Sequence, residues 1–235
     1  MKILSRFLVV SALLAAVHSV SAFEGKVTLA MTAERGRTMN MDYAMKGQKL
    51  RMDMNGGGHQ AAMIVDTAKM EMLMLMPEQQ MYMVMPMKKT IDQAMEKAGA
   101  NTADVEATGK TENILGYKCN QLLVKDKGNV TELWVAEGLG TFMSMSAGGP
   151  MGGGGGMFGR NKPANAAKWE QVLKDKGGFP LRMITRDASG KEVSKMEATK
   201  IEPGSLPDSL FNPPAGYQKF DMPNMGGLLK GMGGN

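Results

Sequence analysis

From Phe23 onwards apolar and polar residues alternate in short runs, and clusters of turn formers break the runs at close intervals. A period of two with such punctuation predicts an antiparallel meander. Thr38 to Met45 and Leu50 to Met54 flank Lys46-Gly-Gln-Lys49. An even loop there sets Met45 against Leu50, Tyr43 against Met52 and Met41 against Met54, with Asn40, Asp42, Arg51 and Asp53 on the opposite side. This hairpin is dry on one face and wet on the other.

The hairpin from Lys69 to Met87, around Pro77-Glu-Gln-Gln80, has a different pattern. Its even loop pairs Met76 with Met81, Met74 with Met83, Met72 with Met85 and Met70 with Met87, so eight methionines share a face. Glu71, Leu73, Leu75, Tyr82, Val84 and Pro86 occupy the other, which is largely apolar too. Strands apolar on both faces must be covered twice. Further strands are predicted at about Val105 to Ala107, Tyr117 to Lys125 and Val130 to Ala136, and two more around the Ala188-Ser-Gly190 turn.

Helical spacing occurs in two places. Thr90 caps a run in which Ile91, Ala94, Met95 and Ala98 fall at i, i+3, i+4 and i+7, and Ala166 to Lys176 predicts a second helix. The architecture expected from these elements is mainly β: a curved antiparallel half-barrel of about ten strands wrapped around one or two helices. Ala147 to Gly159 and Met222 to Asn235 are so rich in glycine that they are read as a flexible loop and a flexible tail. The rest, residues 23 to 221, is expected to form one domain.

The first 22 residues have the layout of an export signal. Lys2 and Arg6 precede an apolar run from Phe7 to Val17, and Val20 and Ala22 suit signal peptidase, so Phe23 is the expected mature N-terminus. That run is too short to span a bilayer as a helix, and no later segment comes near the required length. The only cysteine, Cys119, is far from the cleavage point, so no lipid anchor is expected. The location implied is the periplasm or the exterior.

Of 28 basic and 23 acidic residues, two basic ones leave with the signal and the rest are scattered, which argues against nucleic acid as a partner. A single cysteine makes no internal disulfide, and Cys119 is read as a small buried hydrophobe. After cleavage His59 is the only histidine, placed in a glycine-rich turn, so zinc centres built on several imidazoles are excluded. Gly154-x-Gly156-x-x-Gly159 matches a dinucleotide fingerprint in letters but has no strand before it. Gly109-Lys110-Thr111 resembles the end of a phosphate loop, yet Asp104 stands where its first glycine is needed. No Ser nucleophile motif is present, and Asp53, Asp66, Asp126 and Asp187 are read as solvated turn or strand residues. No catalytic residue, cofactor or resident metal is therefore assigned, and the chain is not read as an enzyme.

The feature that asks for an explanation is the 26 methionines. They serve as adaptable core filler, or they line a site for a flexible apolar ligand, or their thioethers hold a soft ion such as Cu(I) or Ag(I). The ligand reading rests on the doubly apolar hairpin and names Met70, Met72, Met74, Met76, Met81, Met83 and Met85 with Leu73, Leu75, Tyr82 and Val84. The ion reading names Met72, Met74, Met83 and Met85. A structural or partner-binding role in the envelope is the third alternative, with the glycine-rich loop ordering on contact.

Four stretches carry a family resemblance: Met74-Leu-Met-Pro-Glu-Gln-Gln-Met-Tyr-Met83, Thr108-Gly-Lys-Thr-Glu-Asn-Ile-Leu-Gly-Tyr-Lys-Cys119, Glu132-Leu-Trp-Val-Ala136 and Phe211-Asn-Pro-Pro-Ala-Gly-Tyr217. Together they resemble an uncharacterised family of exported bacterial proteins, a domain of unknown function (DUF4412). More loosely, the layout resembles the half-barrel of the LolA and LolB lipoprotein carriers. That second likeness implies a curved sheet around an apolar cavity and a periplasmic carrier for a lipid-like ligand, with no individual residue carried over.

Overall fold

The computed structural model describes residues 23–33, 37–56, 59–87, 104–126, 128–140, 142, 173 and 178–221. Twelve strands form a single open, curved sheet. They are β1 (Gly25–Ala33), β2 (Arg37–Lys46), β3 (Lys49–Gly56), β4 (His59–Asp66), β5 (Glu71–Met76), β6 (Met81–Pro86), β7 (Asp104–Ile114), β8 (Tyr117–Asp126), β9 (Asn129–Ala136), β10 (Phe179–Arg186), β11 (Glu192–Pro203) and β12 (Gln218–Lys219). Their order across the sheet is β12-β6-β5-β4-β3-β2-β1-β11-β10-β9-β8-β7. The sheet is thus two meanders, β1 to β6 and β7 to β11, joined where β11 lies antiparallel to β1. All neighbours are antiparallel except β12, which runs parallel to β6.

The strand count corrects the expectation of about ten. The strands His59–Asp66 and Gln218–Lys219 add to those expected, and the segment expected at Val105 to Ala107 continues to Ile114 across a bulge between Ala107 and Thr111. The two expected helices, Thr90 to Ala98 and Ala166 to Lys176, lie outside the described residues except for Leu173. Among the described residues there is no helix of seven residues or more, so helices wrapped by the sheet are not part of the fold as described. Nor is any described helix long and apolar enough to cross a membrane.

Local chemistry explains the regularity of the first meander. Gly47 at φ 57° turns the chain between β2 and β3 in the left-handed region, where glycine carries no Cβ penalty. The register that follows pairs Met41 with Met54, Tyr43 with Met52 and Met45 with Leu50, as the alternation predicts. At Ala188-Ser-Gly190 the Asp187 carboxylate accepts hydrogen bonds from the Ser189 amide, the Ser189 hydroxyl and the Lys191 amide, which closes the turn between β10 and β11.

One face of the sheet, the inner one, carries the main core. Val27, Leu29, Tyr43, Met52, Val65, Val124, Leu133, Phe179 and Leu181 are inaccessible there. At its centre Tyr43 stacks on Phe142 with ring centroids 5.4 Å apart, and Phe179 meets both rings edge-on at 5.7 and 5.3 Å. Such geometry adds roughly 0.5–1.5 kcal/mol per pair beyond area burial. Thr131 and Thr185, both buried, satisfy one another across β9 and β10 at 3.2 Å.

Candidate functional site

The methionine ribbon on β5 and β6 adopts the expected register. Met72 stands opposite Met85, Met74 opposite Met83 and Met76 opposite Met81. The row continues sideways, because Met74 is also opposite Met63 and Met63 opposite Met52, so four thioethers cross four adjacent strands. A second row runs Met39, Met31, Met196 and Met183 across β2, β1, β11 and β10. Met41, Met45, Met52, Met54, Met63, Met72, Met74, Met83, Met85 and Met87 are all buried on the inner face of the first meander. The unbranched thioether takes many rotamers at little cost, so this patch repacks more readily than one of branched side chains.

Two of the named residues do not join it fully, and one leaves. Met76 and Met81 are half-buried at the end of the ribbon. Met70 falls outside β5, in a left-handed turn at φ 54°, and is 43% exposed; its carbonyl accepts the Met87 amide at 2.8 Å, while its side chain leaves the face that alternation assigned to it. The turn is set by Asp66, whose Oδ1 accepts the Lys69 amide at 3.0 Å and which is buried rather than solvated. Cys119 is buried, with its thiol pushed up by burial.

Leu73, Leu75, Tyr82 and Val84 lie on the opposite, outer face. Here the expectation from sequence needs a correction, because a second apolar face does not call for a ligand cavity: the chain covers it with its own C-terminal strap. Residues 204 to 221 cross the outer face, and Phe211 is buried against Ala44, Ala62, Ile64 and Leu75, with Leu73, Tyr82, Leu206, Leu210 and Tyr217 packed around them. The strap ends as β12 on the edge of β6, where the Gln218 amide donates to the Gln80 carbonyl and the Phe220 amide to that of Tyr82. Alternation does not reveal the strap, since it lacks strand periodicity; the spacing of Leu206, Leu210, Phe211 and Tyr217 after the last long strand is the signal that was available.

Polar contacts pin the strap. Glu24 accepts the Leu206 amide at 2.6 Å, which holds its carboxyl below the usual range. Lys46 donates to the Leu206 carbonyl at 2.7 Å and pairs with Asp208 at 3.1 Å; the bond to Asp208 raises the lysine and lowers the aspartate. Arg51 gives two N–H groups to Asp53, each at 2.8 Å, and a third to the Leu210 carbonyl at 3.1 Å. Asp53 is therefore half of a fork that fixes the strap.

Between the strap and the outer surface of β1 to β4 lies a cleft of about 540 Å³, lined mostly by polar side chains that include Lys26, Thr28, Asp42, Asn55 and Gln60. Its residues come from β1 to β4, β11, Pro77 and the strap, so no single motif contains them. Among the described residues no three His, Cys, Asp or Glu side chains are grouped to hold a metal ion.

A family described as a domain of unknown function (DUF4412) matches residues 23–217. No curated protein matches the chain. Solved structures similar to it include an uncharacterized conserved protein from Thermus thermophilus, at 9% identity and TM-score 0.48, covering 84% of this chain and 90% of that one. The Pseudomonas aeruginosa MucA/MucB complex gives 9% identity and TM-score 0.46, with 83% of this chain spanning 57% of the matched chain. A putative outer membrane lipoprotein-sorting protein domain from Vibrio parahaemolyticus gives 10% identity and TM-score 0.32, covering 80% of this chain and 88% of that one.

Proposed function

We propose that this chain, which belongs to the DUF4412 family, is an exported binding or carrier module whose inner sheet face takes a flexible apolar ligand such as a lipid acyl chain. The supporting observation is the concentration of thioethers: of twelve buried methionines among the described residues, ten sit side by side on β2 to β6 and the residue just after. A core that only needed filling would spread them over both meanders. Methionine surfaces suit ligands whose shape varies, because each side chain adjusts by rotation about its own bonds. The contact residues in this reading are Met72, Met74, Met83 and Met85, with Met76 and Met81 at the margin. Residues 1 to 22 act as its export signal and deliver it to the periplasm or beyond.

A second reading draws on the same register. Met72 opposite Met85 and Met74 opposite Met83 make a square of four thioethers on one face, a donor set that favours a soft ion such as Cu(I). One variant separates the readings. Changing all four to leucine keeps the face apolar and removes the four sulfur donors of the square, so a lipid stays and copper bound there goes. Native mass spectrometry of the mature protein, purified without detergent, is expected to show adduct masses of lipid size that survive this change and disappear in Met74→Gln with Met83→Gln, with circular dichroism confirming that each variant is folded. Preparations free of such adducts, and unable to take up a fluorescent fatty acid, would end the carrier reading.

A further inference from the structure

The outer face changes character from one side of the first meander to the other. One cross-strand row runs Lys26, Ala44, Arg51, Ile64 and Leu73, from charged to apolar, and the strap covers its apolar end. The cleft opens at the polar end. Its volume of about 540 Å³ falls within the roughly 300–1,000 Å³ of small-molecule sites. Ala44 and Ala62, buried with Phe211 under the strap, border it on the apolar side.

Its polar groups divide into two sets. Arg51 and Asp53 are committed to one another and to the Leu210 carbonyl, so they hold the strap. By contrast the side chains of Lys26, Asn55 and Gln60 make no hydrogen bond or ion pair among the described residues, and Asp42 engages one oxygen with the Thr28 hydroxyl at 2.7 Å. Asn55 and Gln60 stand directly opposite each other on β3 and β4. Two facing amides offer four donors and two acceptor oxygens to one ligand.

Charge narrows the ligand class. Lys26 and Arg51 are set against Asp42, Asp53 and Glu202, so the lining gives a phosphate or other strong anion no net attraction. An acyl chain has no donors or acceptors to offer the free amides, so it gains nothing from them. A neutral molecule dense in hydroxyl groups meets both conditions, and Tyr217, half-buried in the lining, adds ring surface for an apolar C–H face.

We propose that this outer cleft binds a short neutral saccharide, with Asn55, Gln60 and Asp42 as its hydrogen-bonding residues and Tyr217 as its apolar platform. The site is separate from the methionine face and does not depend on what that face binds. The test is an NMR titration of the full mature chain with chitotriose, cellotriose and maltotriose, alongside octanoate and inorganic phosphate. At least one sugar is expected to shift the amides of β2 to β4 and residue 217 saturably, and Asn55→Ala with Gln60→Ala to weaken it at least about tenfold at an unchanged unfolding midpoint. Both side chains are exposed, so that variant folds. The proposal is overturned if none of the three sugars shifts these amides, if phosphate or octanoate shifts them in place of sugar, or if the double variant binds as tightly as the parent.

Discussion

The two meanders share a sheet but solve the packing problem differently. In β1 to β6 the five internal ladders run without a register shift, and methionine fills the inner face. In β7 to β11 and at the junction with β1, bulges interrupt four of five ladders, and the inner face is built from Leu122, Val124, Leu133, Phe179 and Leu181. Bulges bend and twist a sheet at fixed points, and branched or aromatic side chains pack in few rotamers, so the second meander holds one shape. Regular strands with thioether side chains leave the first free to adjust. An uninterrupted ladder with soft side chains can adjust its packing; a bulged one with stiff side chains holds its shape.

The contrast predicts unequal costs for truncation. Phe179→Ala removes the ring shared by the aromatic trio and is expected to cost about 3–5 kcal/mol by denaturant unfolding. Met74→Ala deletes a buried side chain too, but neighbouring thioethers move into the space, so it belongs at the low end of the roughly 2–5 kcal/mol range. Equal losses at the two positions would break the distinction between a stiff half and an adaptable one.

Next in size is the strap. Phe211→Ala empties a small cluster on the outer face, with an expected cost at the low end of the roughly 3–5 kcal/mol range, and the damage stays local. Hydrogen exchange should rise at residues 204 to 221 and along β6, while β8 to β11 stay protected. Exchange rising equally in both meanders would mean that the strap supports the whole sheet rather than one face.

The same contrast explains what could be read from the chain. Uninterrupted ladders preserve alternation, so the partners of Met41, Tyr43, Met45, Met72 and Met74 follow from loop parity alone. Bulges destroy that parity: Phe179, Pro180 and Leu181 are successive residues and all buried, at the point where the ladder to β9 shifts between Pro180 and Arg182. Pro180 marks the place, since a proline inside a sheet is confined to such irregularities. Met70 departs from the pattern for a related reason, as the Asp66 bond to the Lys69 amide starts a turn where the alternation continues as strand. The strap and the polar cleft are tertiary features, made from residues as far apart in sequence as Arg51 and Leu210, and no local period encodes them.

Smaller effects are expected from exchanging the two kinds of filler. Met63→Leu or Met74→Leu conserves volume and should cost less than about 1.5 kcal/mol, as should Leu133→Met or Leu181→Met. The informative quantity is the breadth of ligands accepted. Leucine on β4 and β5 should narrow the range of chain lengths bound, measured by displacement of a fluorescent fatty acid, whereas methionine on β9 and β10 should leave it unchanged. Narrowing from both sets alike would remove the division of labour between the meanders.

The smallest effect concerns pH and reaches the two meanders in different ways. Glu24 is held ionised by the Leu206 amide and Asp208 by Lys46, so both ionise below their ordinary values of 4.5 and 3.8 when the chain is folded. Their contribution is complete above those values and is lost as pH falls through the lower folded ones, because the unfolded chain takes up its protons first. Lys46, raised above 10.5, contributes below that value and loses its hold as pH climbs through the raised one. Glu132 is lowered as well: burial opposes its ionisation, but bonds from Trp134, Gln121 and Arg186 outweigh it. Glu132 sits inside a ladder, however, and Glu24 and Asp208 clamp a segment that crosses a face. Acid should therefore expose the strap to protease before it melts the sheet, and Glu24→Gln should shift that exposure to higher pH. If strap cleavage and loss of β-sheet circular dichroism follow the same pH curve, the clamp does not act on its own.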